Sequence, residues 1–269
     1  ATGHSLVETL RSQACDRVFL IEWKPAAPTI RDQGVDAQLA LLNVAIDEIG
    51  APADLVGVCQ GGWLSLVYAA RFPGKVRKLV LAGAPIDTRA APSALAEAGA
   101  PLNDAIQEQL LRLGDGLVLG RHLSRLWPGR TDEASRLIEV LQLSAAPATQ
   151  AERELAEKFE RWDGRLLDLP GAYYKEVADW LYRENRLVAG TFPALGRTAN
   201  LGALRCPLFL LAGAEDTIVP PAQLFALVSH VAVDLEIETA LAPCRHLALF
   251  MGRRTLSEEW PRIAQWLAK

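Results

Sequence analysis

The sequence has few cysteines, no basic block and no long apolar run, and each absence excludes a class of protein. Four scattered cysteines in 269 residues do not form a disulfide scaffold, and they indicate free thiols in a reducing cytoplasm. The longest apolar run, near 208–214, suits a buried strand and is far shorter than the roughly 18 residues of a membrane span. A net charge of −4 and a pI near 5.7 argue against nucleic acid as a partner.

The remaining composition is that of an ordinary globular protein. Half of the residues are hydrophobic (50%) and 22% are charged, which is enough apolar surface to form the core of one large domain. There is no internal repeat and no low-complexity segment. The four histidines stand at no metal-ligand spacing from cysteine or aspartate, so neither a metal nor another cofactor is predicted.

Strand-like and helix-like patterns alternate at both ends of the sequence. The predicted strands are 17–22, 54–58, 76–82, 207–212 and 234–239. The predicted helices between and after them are 33–49, 61–72, 221–229 and 256–267. Strands separated by helices of this length form parallel sheets that are covered on both faces, so the predicted fold class is α/β with a mostly parallel sheet.

Between these regions, residues 88–190 carry only helical signals, interrupted by prolines and glycines. The predicted helices are 103–113, 131–143, 148–162 and 172–185. The predicted organisation is therefore a core at 1–87 and 191–269 with a helical insertion at 88–190. An insertion at the carboxyl ends of the strands lies over the ligand crevice of an open sheet, so we expect a cap, or lid. Most of its aromatic residues are expected to be packed in a core.

The strand at 54–58 is followed by a glycine-rich turn and then by a helix. Gly57, Cys59 and Gly61 form the pattern G-x-C-x-G, a nucleophile elbow with cysteine in place of serine. Such a turn strains the backbone of the nucleophile and leaves no room for side chains two residues away. Cys59 then lies at a helix N-terminus, which favours a thiolate, and the Gln60 N–H can stabilise an oxyanion. The alternative is a structural cysteine in a glycine-rich turn.

An elbow of this kind predicts an acid and then a base later in the chain. Glu215 and Asp216 follow the strand at 207–212, and Asp216 is preferred because it lies on the loop just before the next helix. Asp87, after the strand at 76–82, is the alternative carboxylate. His246 follows the last strand and is the predicted base. In this interpretation Asp216 orients His246, which deprotonates Cys59. A solvated loop acid and a structural histidine are the alternative interpretations.

The other cysteines and histidines have less suitable positions. Cys15, Cys206 and Cys244 follow no comparable turn and are predicted to be structural thiols. His122 lies in the insertion and His230 ends a predicted helix, and both are poor positions for a catalytic base.

With these residues assigned, the sequence resembles the α/β-hydrolase superfamily. Within it, the sequence is similar to the cysteine-nucleophile group of intracellular polyhydroxyalkanoate depolymerases and polyhydroxyalkanoate synthases. The segment 58–63 (VCQGGW) is similar to the nucleophile box of both. Three segments resemble depolymerase motifs: 83–89 (GAPIDTR), Gly3-His4, and His246 with 250–254. Three others are similar to synthase motifs: 169–174, 182–188 and 215–220.

The resemblance implies an α/β-hydrolase fold and a cysteine-dependent ester hydrolase. Its substrate is expected to be polyhydroxyalkanoate polyester of the 3-hydroxybutyrate type, or oligomers, through a thioester on Cys59. The first alternative is a synthase-type acyltransferase using hydroxyacyl-CoA, for which Lys24, Arg89 and Arg245 are candidate phosphate ligands. The second is a non-catalytic granule-binding relative. The expected location is the cytoplasm, in association with storage granules.

The resemblance also implies substrate-binding roles for His4, Trp63 and Asp87. Both related groups carry a strand and further sequence before the Gly-His segment, whereas this sequence starts at Ala1. We therefore expect either a truncated form or an oxyanion loop formed by residues 1–4. In the second case Thr2 and Gly3 are the candidates for a second oxyanion donor beside Gln60.

Overall fold

The computed structural model describes residues 4–13, 17–95, 104–126, 140–141, 149–164 and 166–269. In these residues four parallel strands form the main sheet, in the order β1, β2, β7, β8. They are β1 (Ala53–Val58), β2 (Val76–Ala82), β7 (Leu208–Gly213) and β8 (Ile237–Ala242). Two short antiparallel pairs join β3 (Leu117–Val118) to β4 (Leu169–Pro170) and β5 (Pro193–Ala194) to β6 (Arg197–Thr198).

The helices cover both faces of the sheet and form most of the described part of 88–190. They are α1 (Leu6–Gln13), α2 (Val35–Ile49), α3 (Gln60–Arg71), α4 (Asp104–Leu113), α5 (Gly120–Leu126), α6 (Gln150–Asp163), α7 (Gly171–Glu176), α8 (Pro221–Phe225), α9 (Ala248–Met251) and α10 (Arg253–Ala268). A π-helix (Val177–Arg183) continues α7, and 3₁₀ turns lie at Pro28–Ile30, Leu201–Ala203 and Ala226–Ser229. Within the described ranges, no helix has the length and apolarity to cross a membrane.

The core consists of two layers, one on each face of the sheet. Along β2 and β7, alternate side chains point to opposite faces, as strand geometry requires. Leu79 and Leu208 pack in one cluster with residues of α2 and α3, whereas Val80 and Phe209 pack in a second cluster with Trp260 of α10. Because both faces of the sheet are covered here, β7 has no polar side chain and β2 has none after Lys78.

The parallel register brings the carboxyl ends of the strands to one edge of the sheet. Val58 is paired with Ala82, Ala82 with Leu211, and Gly213 with Ala242. The loops that follow β1, β7 and β8 therefore emerge side by side, which is the position of a ligand crevice in an open α/β sheet.

Most predicted elements are present, and the strand predicted at 17–22 is wrong. Residues 17–27 have no regular structure, and Phe19 and Leu20 are exposed. Aromatic and β-branched residues favour a strand only where a neighbouring strand can pair with it. In the described part of the chain, β1 lies at the edge of the sheet and has no neighbour on that side.

In the region 88–190, the helices predicted at 103–113, 148–162 and 172–185 are confirmed as α4, α6 and α7 with its π-helix. Helix α6 begins with a capping box, in which the Thr149 side chain accepts from the Glu152 N–H and the Glu152 carboxylate accepts from the Thr149 N–H. The helix predicted at 131–143 lies outside the described residues except for 140 and 141. The ladder of β3 and β4 was missed because two-residue strands show no periodicity.

Candidate active site

Cys59 occupies the turn between β1 and α3 in a strained backbone conformation. Its φ is 49° and its ψ is −117°, a region that non-glycine residues rarely adopt. Two hydrogen bonds fix the turn: the Cys59 N–H donates to the Ala82 carbonyl, and the Gly62 N–H donates to the Cys59 carbonyl, both at 2.9 Å. The next residue, Gln60, begins α3, so its N–H is among the first-turn donors that lack an intrahelical acceptor. Cys59 is partly exposed at this end of the sheet.

The glycines around Cys59 do not all have the role that the pattern predicts. A Cβ added to Gly57 would lie 2.6 Å from Gly62 Cα and 2.8 Å from the Gly61 carbonyl oxygen, which is too close. A Cβ on Gly62 would collide with Ala84 Cβ, whereas one on Gly61 meets nothing within 4 Å. The prediction of a steric requirement is therefore confirmed for Gly57 and wrong for Gly61. The second tight position is Gly62, because it packs directly against the loop after β2.

Asp216 and His246 form a buried pair on the loops that follow β7 and β8. Asp216 Oδ2 lies 2.6 Å from His246 Nδ1. The other carboxylate oxygen, Oδ1, accepts hydrogen bonds from the main-chain N–H groups of Ile218 (2.9 Å) and Val219 (2.8 Å). Since the carboxylate is held on one side by two main-chain donors, its second oxygen has a fixed direction toward the imidazole.

Two opposing effects act on the pKa of His246. Burial lowers the pKa, whereas the charge of Cys59 and the hydrogen bond to Asp216 raise it, and together they prevail. The pKa therefore lies well above that of an ordinary histidine. The Cys59 side chain is close enough to His246 to raise the pKa of the imidazole both by its charge and by a hydrogen bond. The structure thus brings Cys59, His246 and Asp216 together at one end of the sheet.

Asp87, the alternative acid, does not contact His246. Its Oδ1 accepts from Asn185 Nδ2 at 2.8 Å and from the Arg89 N–H at 3.0 Å. Its hydrogen bonds therefore connect the loop after β2 to the end of the π-helix. A direct contact of Asp87 with substrate stays a prediction.

Trp63, predicted to bind substrate, is completely buried, and that prediction is corrected here. Its ring packs against Phe192, with ring centroids 5.6 Å apart, and its indole Nε1–H donates to Gln60 Oε1 at 2.6 Å. A side chain with no exposed surface cannot touch a ligand in this structure. Trp63 instead orients the side chain of Gln60.

His4 lies next to the helix that follows His246. Its Nδ1 is 2.8 Å from the Met251 carbonyl oxygen, and burial lowers its pKa. A contact between His4 and substrate stays a prediction. Thr2 and Gly3, the two predicted oxyanion donors, lie outside the described residues.

Two tyrosines of the predicted insertion, for which the sequence indicates no individual role, lie close to Cys59. Burial, and then the charge of Cys59, raises the pKa of both Tyr173 and Tyr182. The Tyr182 hydroxyl accepts a hydrogen bond from Gln60 Nε2 at 2.7 Å. The only sequence signal for them is that both fall in segments similar to synthase motifs. Helical spacing alone assigned such aromatics to a core.

The other two thiols in the described residues are poor nucleophiles. Cys206 and Cys244 are buried, and burial raises the pKa of both. Cys15 lies outside the described residues. Of the candidate phosphate ligands, Lys24 pairs with Glu22 at 2.9 Å, and Arg89 donates to the Arg183 carbonyl at 2.8 Å. Both cations are already engaged by the protein.

Comparisons with known proteins agree with this fold. The chain is 27% identical over 99% of its length to the poly(3-hydroxyalkanoate) polymerase subunit PhaC of Synechocystis and covers 72% of that subunit. It is 23% identical over 98% of its length to the PhaC subunit of Haloferax mediterranei, of which it spans about half (54%). A monoacylglycerol lipase from Paleococcus ferrophilus superposes with a TM-score of 0.55 at 16% identity, over 88% of this chain and 76% of the lipase.

These neighbours and the flanked parallel sheet establish the α/β-hydrolase fold. A family model matches residues 35–240, which is more than half of the chain, and its description is "Protein of unknown function (DUF3141)". The protein is therefore a member of the DUF3141 family with an α/β-hydrolase fold.

Proposed function

We propose that this protein hydrolyses esters of 3-hydroxyalkanoates, as polyester or as oligomers, through a thioester on Cys59. The observation that carries the proposal is the Asp216–His246 pair held at 2.6 Å beside a cysteine in a strained elbow. The substrate class comes from the similarity to PhaC subunits over nearly the whole chain. Association with storage granules in the cytoplasm belongs to the same proposal.

The proposed reaction has two steps that use the same residues. Cys59 Sγ attacks the ester carbonyl carbon, and the π electrons move onto the oxygen, where the Gln60 N–H is available as a donor. When this intermediate collapses, the C–O bond breaks and the alkoxide takes the proton of the His246 imidazolium. In the second step water attacks the thioester, His246 accepts the proton from water, and the C–S bond breaks to release the acid and the thiolate.

Residues 88–190 are proposed to act as a cap in this reaction. Tyr173 and Tyr182 belong to this region and lie near Cys59. On the other side, Phe159 of α6 packs in a cluster with Leu247 and Met251, which follow His246 in sequence. A cap that contacts both sides of the crevice can limit the access of water and supply an apolar passage for a polyester.

The second candidate is polymerisation, in which the hydroxyl of a growing chain replaces water as the acceptor. The similarity to polymerase subunits favours it. The first step is then acylation by hydroxyacyl-CoA with release of CoA, and the same His246 would deprotonate the chain hydroxyl. Both candidates require Cys59, His246 and Asp216, so variants of these residues do not separate them.

The experiment that separates the candidates is a comparison of two substrates. Purified protein is incubated with amorphous polyester granules and, separately, with 3-hydroxybutyryl-CoA, with a Cys59→Ala variant as the matched control. Release of soluble hydroxyacid from granules supports hydrolysis, and release of CoA with formation of polymer supports the synthase. Turnover that persists in Cys59→Ala, or no reaction with either substrate, contradicts the proposal.

A further inference from the structure

The proposed reaction needs donors for the oxyanion, and one hydroxyl near Cys59 has an unused proton. We propose that Tyr182 donates a hydrogen bond to the oxyanion that forms when Cys59 attacks an acyl carbonyl, beside the Gln60 N–H. This inference rests on the proposed acylation of Cys59, and it holds for any acyl group transferred there. It assigns to the region 88–190 a direct part in the chemistry.

The hydrogen bonds of Gln60 determine the direction in which the Tyr182 proton can point. The indole N–H of Trp63 is only a donor, so the side-chain atom of Gln60 that faces it must be the carbonyl oxygen. The amide nitrogen of Gln60 then faces Tyr182 and donates to its hydroxyl oxygen. Tyr182 is therefore the acceptor in that bond, and its own proton is directed elsewhere. Among the described residues no acceptor for this proton is present.

The backbone around Tyr182 is attached to the core on both sides of the residue. The Thr88 hydroxyl donates to the Leu181 carbonyl at 2.9 Å, and the Asn185 side chain donates to Asp87 at 2.8 Å. Both partners lie on the loop after β2, next to the elbow. The segment is also π-helical, a local irregularity that is frequent at functional sites. The Tyr182 hydroxyl is thus held in place before any substrate binds, as an oxyanion donor must be.

The electrostatic environment keeps Tyr182 a donor. Burial and the charge of Cys59 raise the pKa of its hydroxyl, and the hydrogen bond from Gln60 lowers the pKa by less. The raised pKa favours the protonated phenol, which is the form that donates a hydrogen bond. Tyr173 is also near Cys59, but no hydrogen bond to its hydroxyl is present in the described part of the chain.

Tyr182 acts by donating a hydrogen bond whose strength changes as the bonds at the carbonyl carbon form and break. As the Sγ–C bond forms, the carbonyl π pair becomes a lone pair on oxygen, and the Tyr182 O–H and Gln60 N–H donate to it. No proton moves from Tyr182. When the oxyanion collapses, the carbonyl re-forms and both hydrogen bonds weaken. Tyr182 therefore stabilises the transition states of acylation and deacylation and leaves the nucleophilicity of the thiolate unchanged.

The test compares two reactions of Cys59 in a Cys15→Ser background, which removes the one thiol outside the described residues. Acylation by nitrophenyl acetate passes through an oxyanion, whereas alkylation by iodoacetamide is a displacement at carbon that forms none. For Tyr182→Phe we expect acylation to slow by about 10²-fold, the usual loss for one oxyanion donor, while alkylation keeps its rate. Tyr68→Phe is the matched control, because its hydroxyl bonds to Asn43 at 3.1 Å, away from Cys59, and both rates should be unchanged.

The results for Tyr182→Phe test the role of Tyr182, and the choice of acyl substrate tests the proposed function. Equal acylation rates in Tyr182→Phe and its parent, or losses of the same size in acylation and alkylation, would overturn the role of Tyr182. If Tyr182→Phe does not fold, Gln60→Ala serves instead, because it removes the amide that holds the tyrosine and keeps the main-chain N–H; it should also slow acylation and spare alkylation. A protein that is acylated by nitrophenyl acetate but ignores 3-hydroxyalkanoates would refute the substrate class and leave the role of Tyr182 intact.

Discussion

Asp216→Asn is expected to abolish the proposed hydrolysis through the tautomer of His246. The main-chain N–H groups of Ile218 and Val219 both point at Oδ1, so the oxygen of the new amide must occupy that position. The amide NH₂ then faces His246 Nδ1, which must become an acceptor, and the imidazole proton is displaced to Nε2. An imidazole protonated at Nε2 cannot accept the proton of Cys59.

The expected loss is about 10⁴-fold in kcat, which corresponds to about 5.4 kcal/mol of transition-state stabilisation. The size of the loss follows because the variant changes the tautomer and also removes the charge that stabilises the imidazolium. Steady-state hydrolysis of a nitrophenyl 3-hydroxybutyrate is the assay, with thermal unfolding to verify the fold.

Asp87→Asn is the matched control for this prediction. Its carboxylate oxygen accepts from Asn185 and from the Arg89 N–H, and an amide oxygen can keep both bonds. We expect a much smaller loss than in Asp216→Asn. A folded Asp216→Asn protein with a kcat within tenfold of the parent, or a larger loss in Asp87→Asn, would refute the assignment of the acid.

Three further predictions concern the elbow, the histidine and the cap. Gly57→Ala should lower the free energy of unfolding, measured in urea, by about 1–3 kcal/mol through overpacking, whereas Gly61→Ala should leave it nearly unchanged. Equal effects of the two substitutions would contradict the steric role of Gly57. Because the charge of Cys59 raises the pKa of His246, Cys59→Ala should shift the His246 titration to lower pH in NMR spectra; a shift upward would show that the pair is not ionic. Trp162 on α6 is 53% exposed, so Trp162→Ser should slow the hydrolysis of granules and leave the hydrolysis of a nitrophenyl ester unchanged. Equal losses with both substrates would show that α6 only stabilises the fold.

The sequence predicts those parts of the fold that depend on local pattern and on apolar content. Strand β7 and the part of β2 after Lys78 are apolar because both faces of the sheet are covered there, and both strands are found where predicted. The segment 17–22 has the same local pattern, yet it forms no strand, because a strand also requires a partner. Residue propensity carries no information about whether that partner exists.

The sequence predicts the order of the nucleophile, the acid and the base along the chain. It predicts only some of the contacts that these residues and their neighbours make. The elbow and the loops after β7 and β8 indicate Cys59, Asp216 and His246, and register brings those loops to the same end of the sheet. Tyr182 could not be assigned this way, because its contact with Gln60 spans 122 residues and depends on a π-helical turn. Trp63 was misjudged because its place in the nucleophile box gave no indication of its burial.

If Cys59 carries the acyl group, its thioester can be trapped. The protein is mixed with a nitrophenyl 3-hydroxybutyrate, quenched in acid within the first turnover, digested and analysed by mass spectrometry. We expect a 3-hydroxybutyryl adduct on the peptide that contains Cys59 and none in Cys59→Ala. An adduct on another residue, or hydrolysis at the parental rate in Cys59→Ala, would contradict this expectation.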